Sequence, residues 1–184
     1  MVATFLTSKC FLESARSLDK KRLGKQRVEA YQILNLIHDL TRLSYMFQIP
    51  ISNTDLKSSI TNIWNAYKKV PYYLCIKSDG TECLINRTNI KSTQELRIVK
   101  LGYAHHPIVR QWFFYPDALK DYINAHIYAW IERGCLNTMK TYSVPQQYIR
   151  PMWTFDENVH TQHKKNLLQK EIDRNEEPWY RLRF

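Results

Sequence analysis

"SLDKKRLGKQRVEAYQIL", residues 17–34, changes character half-way along. Lys20, Lys21, Arg22, Lys25 and Arg27 crowd into eight positions, 20–27, that hold no acid. Beyond them the pattern turns amphipathic. On a wheel of ~100° per residue, Leu23, Ala30, Ile33, Leu34 and Ile37 share one face, which predicts a core-facing helix from about Asp19 to Leu43. A shorter helix is predicted from about Glu13 to Leu18. Gly24 lies in the first turns of the long helix and weakens them, which leaves room for a break or kink there. Glu29 stands at the seam between the basic and apolar halves.

The basic block admits two readings. One is a solvated helix face. The other is a wall facing a polyanion. The block sits at a helix start, where the macrodipole disfavours cations, and its charges repel one another. A polyanionic partner relieves both, which favours a phosphate-facing role for Lys21, Arg22, Lys25, Gln26 and Arg27. For Glu29 the plain reading is a surface pair with Lys25, in the less favourable order and worth little. The sharper reading is a site carboxylate able to steer or accept a proton. From the residues alone the plain reading prevails.

The whole chain frames this choice. Its 184 residues suffice for one domain with a proper core. Its formal charge of +10 fits a nucleic-acid binder, since neutralising phosphates releases counterions. No apolar run is long enough to span a membrane, and the N-terminus reads as no signal peptide. Cys10, Cys75, Cys83 and Cys135 make no CxxC pair, so no zinc site is expected. "SDGT" reads as a hairpin turn with Asp79-Gly80 as a two-residue loop, which would set Cys83 opposite Ile76. Free thiols in a reducing compartment are therefore expected.

Further helices are predicted at "DLKSSITNIWNAYKK", at "PDALKDYINAHIYAWIERG" and at "ENVHTQHKKNLLQKEID". "NRTNIKSTQELRIVK" reads as polar, with weak helical content near its end. The expected fold is mainly α: a compact single domain over 1–184 with one small β-hairpin in an elaboration at 46–100. Residues 135–184 form a C-terminal strap. In "HHP", His105 and His106 either cap the helix that Pro107 opens or contact phosphate or sugar, and Arg110 could meet phosphate. No matching carboxylate-histidine spacing supports a metal there. His163, Lys164 and Lys165, with the aromatic-basic end "PWYRLRF", suit nucleic acid by charge and stacking, or serve the strap. No GxGxxG, P-loop, GxSxG or HExxH is present, which leaves dinucleotide enzymes, NTPases and common hydrolases without motif support.

"TFLTSKCFLESARSLDKKRLGKQRVEAYQIL", "GYAHHPIVRQW" and "HTQHKKNLLQK" resemble the pyrimidine-dimer DNA glycosylase-like family, and more distantly phage glycosylases of the endonuclease V type. The resemblance covers residues 4–43, 102–134 and, more loosely, 154–170, with 46–100 as an insertion. It implies a compact, mostly helical DNA-repair enzyme acting on damaged double-stranded DNA. The activity implied is base removal plus abasic-site lyase chemistry through an amine Schiff base, with no cofactor and no metal. By this resemblance the amine is that of Val2 after removal of Met1, and Glu29 matches the assisting glutamate. Arg22, Lys25 and Arg27 would hold backbone phosphates. An α-amine has a pKa of ~7.7–8.0, so a useful fraction is neutral near pH 7. The start Met-Val-Ala-Thr departs from the family's Met-Thr, and Lys25 is the fallback amine. A non-catalytic DNA-binding or DNA-packaging protein on the same fold is the alternative, and an RNA-binding role the third. The expected setting is intracellular, in cytoplasm or nucleus or carried in a virion. Abundant Lys, Ile, Asn and Tyr fit an AT-rich genome such as that of a large DNA virus.

Overall fold

Asp19 starts the helix that the opening stretch predicts. Its side chain accepts from Arg22 N at 2.8 Å and its carbonyl accepts from Leu23 N at 2.8 Å, the bonding of an N-cap. The structure is a computed structural model that describes residues 4–88, 96–174 and 179–180. The chain is mainly α with a small antiparallel sheet. The helices are α1 (Phe11–Ser17), α2 (Lys20–Phe47), α3 (Leu56–Lys69), α4 (Pro107–Trp112), α5 (Pro116–Glu132) and α6 (Glu157–Asp173). The strands are β1 (Tyr72–Lys77), β2 (Glu82–Asn86) and β3 (Leu96–Ile98), and a single 3₁₀ turn spans Met152–Phe155.

The room for a break at Gly24 is not used: α2 runs unbroken through it. Gly24 has a packing reason instead. A Cβ built there would meet the Trp130 ring at 3.1 Å, so the glycine lets α5 approach. The ring cannot easily yield, since its Nε1 donates to Leu136 O at 2.9 Å.

Two compact units divide the chain: Met1–Leu34 with Gln111–Phe184, and Asn35–Arg110. In the first, α1 packs on α5. Phe5, Leu18, Leu23, Ala129, Leu167 and Tyr180 share one buried cluster that joins the N-terminal segment, α1, α2, α5, α6 and the tail. Pro116 occupies the first turn of α5, where its missing N–H costs nothing, and Gly134 follows the helix at φ 69°. Trp179 Nε1 donates to Ser17 O at 2.7 Å, and the Tyr180 hydroxyl to Asp19 Oδ2 at 2.6 Å.

In the second unit Asp55 caps α3 by accepting from Ser58 N at 3.1 Å. Ile60, Ile63 and Tyr67 form the buried face of α3. The sheet has the order β2-β1-β3. The Tyr67 hydroxyl accepts from Leu74 N at 2.9 Å and donates to Val99 O at 3.2 Å. Asp39 takes a two-pronged pair from Arg97, at 2.6 and 2.7 Å.

Two expectations are corrected here. The hairpin register sets Cys75 opposite Cys83 and Ile76 opposite Glu82. Lys77 N bonds to Thr81 O and Gly80 N to Lys77 O, both at 2.9 Å, and Gly80 has φ 87°. That is a three-residue loop, a type I turn closed by a left-handed glycine, and one residue more than Asp-Gly alone shifts the register by one. Both cysteines are free thiols. The second correction is Leu96–Ile98, read as weakly helical, which pairs with β1 as β3. Three residues are too few for periodicity to reveal, and an adjacent strand decided the outcome.

Candidate functional site

Helical spacing brings Arg22, Gln26 and Glu29 onto one ridge of α2, in the unit that also holds the N-terminal segment, α5 and α6. Gln26 joins them to that segment. Its Oε1 accepts from Phe5 N at 3.1 Å and from the Tyr122 hydroxyl of α5 at 2.9 Å. Its Nε2 donates to Glu29 Oε2 at 3.0 Å. Two donors on one end and a carboxylate on the other fix the amide's orientation. Burial drives the Tyr122 phenol pKa well up, so it remains a donor.

Glu29 is nearly enclosed, at 8% exposure. Its second oxygen, Oε1, lies 3.5 Å from Lys25 Nζ. The carboxylate therefore has a donor at each oxygen and a small opening to solvent. Such a group can take or return a proton, or stabilise a nearby cation.

The N-terminal segment is fastened from other sides too. Trp112 Nε1 donates to Thr4 Oγ1 at 3.2 Å. Leu6 N donates to His163 Nδ1 at 2.9 Å, so that imidazole acts as a neutral acceptor. Burial pulls the His163 pKa down, in keeping with a neutral ring. Phe5 lies edge-on to the His163 ring at 5.8 Å, and Lys170 Nζ sits 4.6 Å from the centre of its ring. Residue 2 lies outside the described residues, so the structure describes nothing of Val2.

The basic block divides. Arg22 is buried, pairs with Asp19 at 2.6 Å and lies 5.3 Å over the Tyr180 ring. Burial would raise the Asp19 carboxyl, but bonds from Tyr180 and Arg22 outweigh it and hold the pKa below its ordinary value. Asp19 thus meets part of the dipole and repulsion cost that the sequence argument assigned to an outside polyanion. Arg27 stacks on Trp130 at 4.1 Å and donates to Asn137 at 2.9 Å; burial lowers its pKa. It is engaged within the fold. Lys21 and Lys25 are exposed.

On α6 Lys165 is exposed and Lys164 half-buried, while His163 serves as the fastening just described. His105, His106 and Arg110 belong to the other unit. There His106 Nδ1 accepts from Ile108 N at 3.2 Å at the start of α4, and His105 lies edge-on to Trp64 at 5.4 Å. Arg110 is exposed. A hollow lined by Lys9, Phe11, Asp121, Arg150 and Phe155 contains none of the expected site residues. Among the described residues, no three His, Cys, Asp or Glu side chains gather as a metal site, and no helix is long and apolar enough to cross a membrane.

A family model described as pyrimidine dimer DNA glycosylase matches residues 2–143. The chain belongs to that family. Membership makes DNA the implied substrate. No curated protein and no solved structure matches the chain. The glycosylase family match takes in Gln26, Glu29 and Tyr122 but stops short of α6, so His163 and Lys170 lie beyond it.

Sequence reasoning missed Tyr122, Phe5 and Lys170 as neighbours of the site. Tyr122 carried a helix-face signal only, which says nothing of where its hydroxyl ends. For Lys170 a signal existed. It stands seven residues after His163, two turns along the same helix face, with buried Leu167 between them.

Proposed function

We propose that this chain is a DNA-repair glycosylase with abasic-site lyase activity, acting on pyrimidine-dimer-type lesions in duplex DNA through an amine Schiff base. The observation that carries the reading is the Gln26 bridge from the Phe5 backbone to the Glu29 carboxylate. Only Ala3 and Thr4 stand between Val2 and Phe5 in the sequence, a chain length of roughly 10 Å at most. Val2 would supply the α-amine, and Glu29 the carboxylate that serves it. This requires Met1 to be cleaved, which a small second residue permits.

The chemistry follows. A neutral amine attacks the deoxyribose C1′, and the glycosidic bond breaks with its electron pair leaving on the base. The ring opens to a protonated imine. Glu29 stabilises the cationic sugar, then takes the C2′ proton, and the C3′–O bond breaks to release the phosphate. Water hydrolyses the imine and frees the amine. Exposed Lys21, exposed Lys25 beside Glu29, and the chain's charge of +10 supply phosphate attraction. The lesion must leave the stack for this attack, and a dimer is already poorly stacked, which lowers that cost.

The test is strand incision on duplex DNA holding one abasic site, with borohydride present in a parallel reaction. Wild type should incise and trap as a covalent adduct. Glu29→Gln should incise at least ~100-fold more slowly, the scale of general acid–base assistance. Salt-sensitive binding without incision or adduct would instead mark a DNA-binding protein on this fold.

A further inference from the structure

We propose that Lys170 is a second amine of this site, forming a Schiff base at C1′ of an abasic deoxyribose in its own right. The proposal rests on the lyase reading and adds to it a nucleophile that lies outside the family-matched residues 2–143. Its ammonium lies over Phe5, whose N–H is bonded to the same Gln26 that holds Glu29. Arg22, Lys25, Arg174 and Glu29 are its charged neighbours. The helix that carries it is fixed to the N-terminal segment by the His163–Leu6 bond, and Leu167 between them is fully buried. Lys170 is thus held at the site by its helix, not by a flexible loop.

Its surroundings also suit an amine that must lose a proton. Burial lowers its pKa first, the cations Arg22, Arg174 and Lys25 lower it further, and Glu29 opposes them. Lys25, the fallback amine of the sequence reading, is differently placed, with its side chain 65% exposed and paired to Glu29.

The step balances with groups on the page. Neutral Nζ adds to the C1′ aldehyde of the opened abasic sugar, and loss of water leaves a protonated imine. Glu29 accepts the C2′ proton, the C3′–O bond breaks, and the phosphate departs with the electron pair. Hydrolysis returns the amine.

The experiment is borohydride trapping on abasic-site duplex, followed by digestion and mass mapping of the modified residue. The full chain is compared with an α-amine-acetylated full chain and with Lys170→Arg in each background. Arginine keeps the cation over Phe5 but supplies no amine nucleophile. The acetylated chain should still trap, with the adduct on Lys170, and Lys170→Arg in that background should reduce trapping at least tenfold. An acetylated chain that traps nothing, or traps on Lys25, overturns the proposal while a terminal adduct on the free chain leaves the lyase reading standing. No adduct on any form overturns both.

Discussion

Gln26 is the residue on which the site's geometry depends, because one amide satisfies a backbone N–H, a buried phenol and a carboxylate. Gln26→Leu strands the Phe5 N–H and leaves the Tyr122 hydroxyl with only the Phe5 carbonyl, at 3.2 Å, as acceptor. Each unmade buried bond costs about 1–3 kcal/mol. Thermal unfolding should therefore fall by several degrees, at ~2–4 °C per kcal/mol for a chain of this size. Incision should fall further than binding, since Glu29 loses its orienting donor. A variant that unfolds and incises like wild type would remove Gln26 from the account. Sequence placed Gln26 beside Arg22 and Glu29 by spacing alone, and that much was legible. Asp19, one turn before Arg22, was within reach of the same spacing argument, but nothing told that Arg22 also faces Tyr180 or that Arg27 faces Trp130. Those two rings lie far off in the chain, and charge patterning carries no record of them.

At the scale of elements, the helices were legible, the short α1 and α4 included, and the three-residue strand β3 was not. α6 was predicted over the residues it occupies, and α2 began where its Asp cap stood. Gly24 misled because propensity is a local argument and Trp130 is a distant contact. Gly24→Ala should accordingly miss the stabilisation of up to ~1 kcal/mol usual for an exposed helix. It should lower the melting temperature instead, and should raise it once Trp130→Leu has removed the ring, as calorimetry can check. Equal gains in both backgrounds would contradict the packing role. The hairpin turns on Gly80, whose φ of 87° suits glycine. Gly80→Ala should destabilise by about 1 kcal/mol in urea melts, with no compensating contact, since a Cβ there would meet nothing within 4 Å.

For the whole molecule, acid stability follows from a buried histidine. His126 is fully buried, and burial pushes its pKa from 6.5 down to about 4. Between those values the unfolded chain binds the proton and the folded one does not. Stability therefore falls as pH drops from 6.5 to about 4, by up to ~3 kcal/mol from this group. His163, also held low by burial, adds in the same direction. His126→Phe should flatten that decline in denaturant titrations; an unchanged slope would refute it. The chain-wide charge and the motif segments pointed to a DNA enzyme, and the family match agrees with them. The central claim is that Glu29 performs chemistry on damaged DNA, not that it merely lies near it. The most direct measurement is single-turnover cleavage of the glycosidic bond, read as strand incision, on a duplex carrying one cyclobutane pyrimidine dimer, with binding measured on the same duplex. Wild type should break the glycosidic bond at the dimer and leave undamaged duplex intact, while Glu29→Gln binds with similar affinity and reacts at least ~100-fold more slowly. Wild type that binds the dimer duplex without breaking that bond, or Glu29→Gln that reacts as fast as wild type, would contradict the account.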